Sequence, residues 1–558
     1  MTSITFIRGN KALHYSGFLV CLMLILSMGC SPEHKSDNEK TISRNYSKLV
    51  YPEADGKLVY KPDERGNVIP DFSHAGYMVG GVRLPDVPVK VTVEPGKGND
   101  AARIQEAIDR VSEMPLDNEG IRGALLLKKG RYELAEPIRI AASGVVLRGE
   151  GQDEDGTVLI GLDTIDNLSY EQLGKTKLII VEGRRGREEV PGSSSKITDD
   201  YVSVGTYSIH VESTEGFRVG DTVIVRRHGN KEWFQELGLE IREGQPTSHD
   251  FDRIIMKIEN NLITVDAPIT CAIETKWGGG EVVKYADPER ISQVGIENLR
   301  GVSEFNRSIL STSYGNMDIT PYTGAEYYSD EEHYWNLIKI DNTVNAWVRN
   351  VTALHFAGSC ATIGRECKWV TIEDCISLEP VSKCGGGRRY TYMIEGQLCL
   401  VQRCFSDKGR HSFILGSSLT CGPNVFLDCI AERPYSSSEP HSSLVVGSLY
   451  DNIHAPIAFR FAKSNQVRWM GIYSYAWNCE GMFIVQKPPT AQNYSIGHIG
   501  LHAMVFNRNL IDYSWEYGYV ESLDEHVEPR SLYLKQLEDR LGTNAVRNIA
   551  TEQQITSQ

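Results

Sequence analysis

Val348-Arg-Asn-Val-Thr-Ala353, Ile372-Glu-Asp-Cys-Ile-Ser377, Val401-Gln-Arg-Cys-Phe-Ser406 and Phe426-Leu-Asp-Cys-Ile-Ala431 repeat one six-residue pattern. An apolar residue stands two places before an anchor, another apolar residue follows the anchor, and a small residue comes third after it. The pattern extends outward to anchors Asn298, Asn452 and Asn478. Ile296, Tyr450 and Ala476 precede them, Leu299, Ile453 and Cys479 follow, and Gly301, Ala455 and Gly481 fill the small position. The intervals between anchors are 52, 24, 29, 25, 24 and 26 residues, so the first reads as a skipped coil and the others as single repeats. Stacked coils of a β-solenoid require these features: inward apolar columns, a bend tolerant of left-handed backbone, and a narrow interior. Arg403 breaks the Asn/Asp ladder. Cys375, Cys404, Cys429 and Cys479 read as buried, reduced fillers of one column.

Upstream, Gly98-Asn99-Asp100 predicts the start of a helix from Ala101 to about Glu113, with Ile104, Ala107, Ile108 and Val111 on one face. Short strands punctuated by Gly and Pro follow: Ala124–Leu127, Gly130–Leu134, Pro137–Ile140 and Gly144–Gly151. These runs, with Gly387-Arg-Arg-Tyr390, Gly409-Arg-His411, Gly422–Cys429 and Gly447–Asn452, resemble the pectate-lyase-like superfamily of right-handed parallel β-helices. The segment from about 74 to 550 is similar to bacterial polysaccharide-lyase-like members of it. The resemblance implies an all-β solenoid with an N-terminal helix cap over its first coils and a carbohydrate-acting surface.

The domain reading follows. Residues 1–30 form a lipoprotein signal peptide: basic Arg8 and Lys11, the apolar run Phe18–Leu26, and Ser27-Met-Gly-Cys30, with Cys30 as the lipidated residue. Residues 31–70 read as a flexible tether, 71–161 as the cap and first coils, and 286–510 as the coils carrying the cleft. Between them, 162–285 contains alternating strands such as Tyr207–Ser213 and Gly220–Arg226 and reads as an inserted small β-barrel or sandwich. The end, 511–558, reads as a C-terminal helical cap whose amphipathic helix stops at Gly542. Ten cysteines beyond Cys30 fit neither metal knuckles nor a disulfide scaffold. The expected location is export to the outer membrane as a monomer held there only by its lipid.

A net charge of −15 argues against a nucleic-acid binder. It is also awkward for an acidic substrate, unless a local basic patch exists. One does: residues 383–411 hold six Lys/Arg against two Asp/Glu. In coils spaced about 4.8 Å apart, the loops Lys383–Arg389, Asp407–Ser412 and Pro434–Ser443 share one face. A lone basic residue on a solenoid loop is usually just solvated, so the convergence carries the reading. His411, His441, Arg410 and Tyr390 are the expected catalytic residues. Arg388, Arg389, Lys408, Tyr392, Lys383, His333, Tyr435 and Glu439 are the expected substrate-binding residues.

Paired Asp motifs of the polygalacturonase kind are absent, and so is an acidic cluster of the calcium-dependent kind. No cofactor or metal is therefore implied, although Glu373 and Glu432 leave calcium open. The expected activity is a polysaccharide lyase on a uronic-acid polymer, with His411 or His441 as base, Arg388, Arg389 or Arg410 on the carboxylate, and Tyr390 or Tyr392 as acid. The alternatives are a glycoside hydrolase using Glu439 with another carboxylate, and a non-catalytic surface lipoprotein that binds glycans.

Overall fold

All seven anchors adopt the left-handed conformation, with φ between +49° and +56°. Asn and Asp tolerate this backbone better than other side chains, and repeating it at the same place bends every coil alike. The computed structural model describes residues 45–162, 169–174, 176–241, 243–287, 289–314, 325–464, 468–502 and 511–556. Cys30 and the rest of the expected signal peptide lie outside them. Among the described residues no helix is long and apolar enough to cross a membrane.

The coils form a right-handed parallel β-helix with three ladders. The first runs from Val89–Val93 through the strands before each anchor to Tyr519–Glu521. Its register places Ile296, Val348, Ile372, Val401, Phe426, Tyr450 and Ala476 side by side. The second ladder holds the strands after the anchors, such as Ile376–Leu378, Phe405–Asp407 and Ile430–Glu432. The third contains Ile138–Ile140, Lys177–Glu182, Asn336–Asp341, Ser359–Ile363, Tyr390–Ile394, His411–Leu415 and Glu439–Pro440. Cys375, Cys404, Cys429 and Cys479 are buried in the interior as free thiols. Cys375, Cys404 and Cys429 each donate to the carbonyl two residues back, at 3.2–3.3 Å, and so occupy a polar group at the bend.

Arg403 keeps the anchor conformation because its side chain is tied on both sides. It makes a two-point ion pair with Asp374, the anchor one coil earlier, and donates to the Ile549 carbonyl. The next anchors hold the same C-terminal segment: Asp428 pairs with Arg530, Asn452 donates to the Arg530 carbonyl, and Asn478 donates to that of Val527. The helices Leu532–Leu541, Thr543–Ile549 and Glu552–Thr556 therefore lie along the outer flank of the first ladder. At the other end, the helix Ala101–Ser112 buries Ile104, Ala107, Ile108 and Val111 over the first coils.

Four sequence expectations need correction. No coil is skipped between Asn298 and Asn350: Ile291–Ser303 pairs directly with Thr343–Leu354, and residues 304–335 are an insertion within one coil. Residues 45–70 are not a flexible tether. Val50–Pro52 and Leu58–Tyr60 form an antiparallel pair, Asp539 accepts the Leu58 amide, and Gln536 donates to the Pro70 carbonyl. The few apolar residues there find their partner at the far end of the chain. The insertion begins after Glu182 rather than at 162, because Lys177–Glu182 is a rung of the third ladder. The coils also continue past 510, since Tyr519–Glu521 pairs with Tyr494–Ile496.

The inserted antiparallel sheet packs on the first ladder. His249 meets the Leu444 carbonyl at 2.7 Å, Arg253 donates to that of Gly422, and Trp469 donates to that of Leu237. Asp252, buried beneath it, is held by Lys368 at 2.9 Å, Arg290 at 3.2 Å and the Tyr285 hydroxyl at 2.7 Å. The insertion thus braces the coils through a charge cluster with matched partners.

Candidate functional site

Three loops of successive coils meet on the third ladder. The Arg389 carbonyl accepts the amides of Arg410 and His411, and the Gly409 carbonyl accepts that of Tyr435. Strand register sets Tyr390 opposite His411. The result is an aromatic triangle: His411 and His441 have ring centres 4.4 Å apart, and Tyr390 lies 5.4 Å from the first and 5.2 Å from the second.

Glu439 organises this triangle. Its side chain is wholly buried. One carboxylate oxygen accepts Arg460 Nε at 2.6 Å and the Ser437 hydroxyl at 3.0 Å. The other accepts His441 Nδ1 and lies 3.5 Å from His411 Nδ1. His411 Nδ1 also meets the Ser437 carbonyl at 2.7 Å, an acceptor that requires the proton on Nδ1. Both imidazoles are thereby held with Nδ1 protonated and Nε2 carrying the lone pair. His411 Nε2 is buried and has no hydrogen-bond partner.

The electrostatics agree with this arrangement. Burial pushes the Glu439 carboxyl upward, but Arg460 and the two imidazoles outweigh it and hold the group well below the usual carboxylate range. Burial lowers His411 well below its ordinary value, against the opposing pull of Glu439, and lowers His441 in the same way. Burial raises Tyr390, with Arg410 opposing. The site therefore holds an ionised carboxylate, two neutral imidazoles and a protonated phenol near neutrality.

Arg410 is half-buried, donates to the Tyr390 hydroxyl at 3.0 Å and to the Gly386 carbonyl, and leaves its Nε without a partner. The other expected residues fall in different places. Arg388 is committed to an ion pair with Glu331, and exposed Lys383 has its ammonium 3.8 Å from the same carboxylate. Arg389 is buried and donates to Ser382. Tyr435, also buried, packs 5.2 Å from the Arg389 guanidinium. Lys408 is half-buried beside them.

Three expected roles do not survive. Tyr392 is inside the solenoid, stacked on Phe413 at 5.8 Å with its hydroxyl on the Phe405 carbonyl, so it is core rather than a substrate contact. His333 is fully buried with both ring nitrogens engaged, by Ser303 at 2.8 Å and the Val381 carbonyl at 2.9 Å. It anchors the insertion instead of facing the cleft. Glu439 has no solvent access and is saturated with donors, so it orients the imidazoles and does not contact substrate.

Sequence reasoning missed Arg460. Its signal was present: Phe459-Arg460-Phe461 places one charge in an apolar strand, and a buried charge demands a partner. His411, Glu439 and His441 are also the one group among the described residues with donor atoms all within 4.8 Å, the spacing of metal ligands. A cation held by the imidazole-facing oxygen of Glu439 and the two Nδ1 atoms would have to displace the protons from both Nδ1 atoms. Glu373, considered for calcium, is paired to Arg403 at 3.1 Å.

No protein-family model matches the sequence, and no curated protein matches it. Solved structures resemble the chain at low identity. The gp54 tailspike of Acinetobacter baumannii bacteriophage AP22, solved with A. baumannii capsular saccharide, is 12% identical with a TM-score of 0.42; the match covers 72% of this chain and 55% of the tailspike. The chain thus spans little more than half the tailspike's length. The polygalacturonase of Erwinia carotovora ssp. carotovora is 8% identical with a TM-score of 0.40, over 81% of this chain and 96% of the enzyme. The DFA-IIIase of Arthrobacter chlorophenolicus A6 is 11% identical with a TM-score of 0.35, over 75% and 70%. The fold assignment rests on the strand register described above.

Proposed function

We propose that this protein is a polysaccharide lyase that cleaves a uronic-acid polymer by β-elimination. The observation that carries the reading is the buried Glu439 carboxylate, which fixes two neutral imidazoles with their Nε2 lone pairs unprotonated. In the reaction, Nε2 of His441, whose side chain is the more exposed of the two, takes the C5 proton. The electron pair left at C5 forms the C4–C5 double bond as the C4–O4 bond breaks, and the Tyr390 hydroxyl protonates the departing O4. Arg410 neutralises the C6 carboxylate, which makes the C5 proton easier to remove. His411, behind His441, acts as a second base or holds His441 in place. Engagement of Arg388, Arg389 and Tyr392 elsewhere narrows the roles to Arg410 and Tyr390.

Elimination leaves a double bond conjugated to the carboxylate, so the test is a panel of uronate polysaccharides followed by ultraviolet absorbance. A gain in absorbance as chains shorten supports the reading. New reducing ends without absorbance assign hydrolysis instead, for which Glu326 and Glu379 in the neighbouring cavity are the carboxylates to examine. Binding without cleavage of any polymer assigns a glycan-binding role. We further propose that the chain is exported and lipidated at Cys30, on the evidence of the run ending Ser27-Met-Gly-Cys30.

A further inference from the structure

Arg389, whose carbonyl accepts the His411 amide, lines a cavity of about 410 Å3. Sugar-sized ligands occupy cavities of this order, lined by apolar and aromatic surface with a few placed polar groups. Here the buried part of the lining is Val381, Arg389 and Tyr435. His355, Glu379, Pro380 and Lys408 line it from the coils, and the coil insertion adds residues of its paired strands Leu310–Ser311 and Tyr327–Tyr328. Tyr328 is exposed and lies 5.2 Å from Phe305, and Tyr327 accepts the Cys384 amide, which fixes the hairpin to the basic loop.

Charge is the second observation. Arg307 and Lys408 line the cavity, and among the described residues neither is in an ion pair, unlike Arg388 and Lys383 a few residues away. With Arg389 they make three cations against Glu326 and Glu379. His355, lowered to about 4 by burial, adds no charge near neutrality. A protein of net charge −15 thus presents a cationic aromatic recess beside its two bases.

We infer that this recess is a subsite for one uronate residue of the polymer, with Tyr328 against the apolar face of the sugar ring and Arg307 and Lys408 on its carboxylate. The inference rests on the uronate reading of the neighbouring site, and it assigns the coil insertion a role in recognition. Aromatic rings suit the C–H face of a pyranose, and unpaired cations at the rim bind a carboxylate without first breaking an internal ion pair.

The test uses the whole protein with two probes, D-glucuronate and D-glucose, followed by saturation-transfer NMR and titration. Glucuronate is expected to bind at least about tenfold more tightly than glucose, the scale of one charge-assisted hydrogen bond. R307Q combined with K408Q should remove that preference, and Y328A should weaken both sugars. Circular dichroism and Tm confirm that each variant is folded. Equal affinity for both sugars, no glucuronate binding, or an unchanged preference in the double variant overturns the inference. Turnover lost from a polymer while glucuronate binding is kept counts against the catalytic reading alone. Wild-type protein that cleaves a uronate polymer but does not bind glucuronate counts against the subsite alone.

Discussion

A carboxylate without solvent access is a poor acid for a sugar and a good tether for an imidazole, and Glu439 is the second kind. E439Q keeps the size of the side chain but removes the charge that fixes both tautomers. Its expected effect is a fall in kcat of about 10²-fold, with KM little changed. H441A should lose as much or more. Because the folded pKa values of His411 and His441 lie below the ordinary 6.5 of the imidazole, the base stays neutral as pH falls to 6.5. The acidic limb of kcat/KM should therefore appear below that value. Glu439 raises the pKa of both imidazoles by stabilising their cations, so E439Q should move the limb further toward acid. A limb at or above pH 6.5, or one that moves toward alkaline pH in E439Q, contradicts the assignment. At this scale the sequence marked His411, His441, Tyr390 and Arg410 through the stacking of loops. It did not mark which basic residues were already engaged, because Glu331 lies 57 residues before Arg388 and Arg460 lies 21 after Glu439.

The coils were legible because their signal is local and repeated. A bend with left-handed φ, an apolar residue on each side and a small residue beyond are all visible within six positions. The interior position of Cys429 gives a direct check. C429D places a carboxylate in the apolar column, and the expected loss is more than about 4 kcal/mol, seen as a collapse in Tm or a failure to fold. A near wild-type Tm would show the register to be wrong. The inserted sheet was legible from its alternating strands, but its edge was not: Lys177–Glu182 has the composition of either a coil rung or an insertion strand, and only its pairing decides. The insertion's bracing role predicts that D252A, which takes from buried Lys368 its nearest carboxylate and leaves Arg290 with Asp287 alone, destabilises by about 3–5 kcal/mol in denaturant unfolding. A loss under 1 kcal/mol would mean that the cluster does not hold the two parts together. The 52-residue interval was misread because spacing alone does not distinguish a missing coil from a coil with a long loop. That loop supplies the hairpin beside the bases.

At the scale of the whole molecule, an acidic chain places two cations without an ion pair among the described residues, Arg307 and Lys408, in the cavity lining, and both ends of the described chain close on one flank. Residues 45–70 pack on the C-terminal helices, which in turn are tied to four successive anchors. This was not legible, since residues more than 450 positions apart make the contacts. Export is tested by mass spectrometry of the mature N-terminus from the native host: a start at Cys30 bearing lipid is expected, and an intact Met1 start contradicts it. The central claim, elimination on a uronate polymer by bases that Glu439 orients, is tested most directly by ultraviolet absorbance during digestion, with reducing ends counted in parallel. The account predicts that absorbance and new ends rise together with the wild type, and that both fall by about 10²-fold or more with H441A. New ends without absorbance, or an H441A protein as active as the wild type, would contradict it.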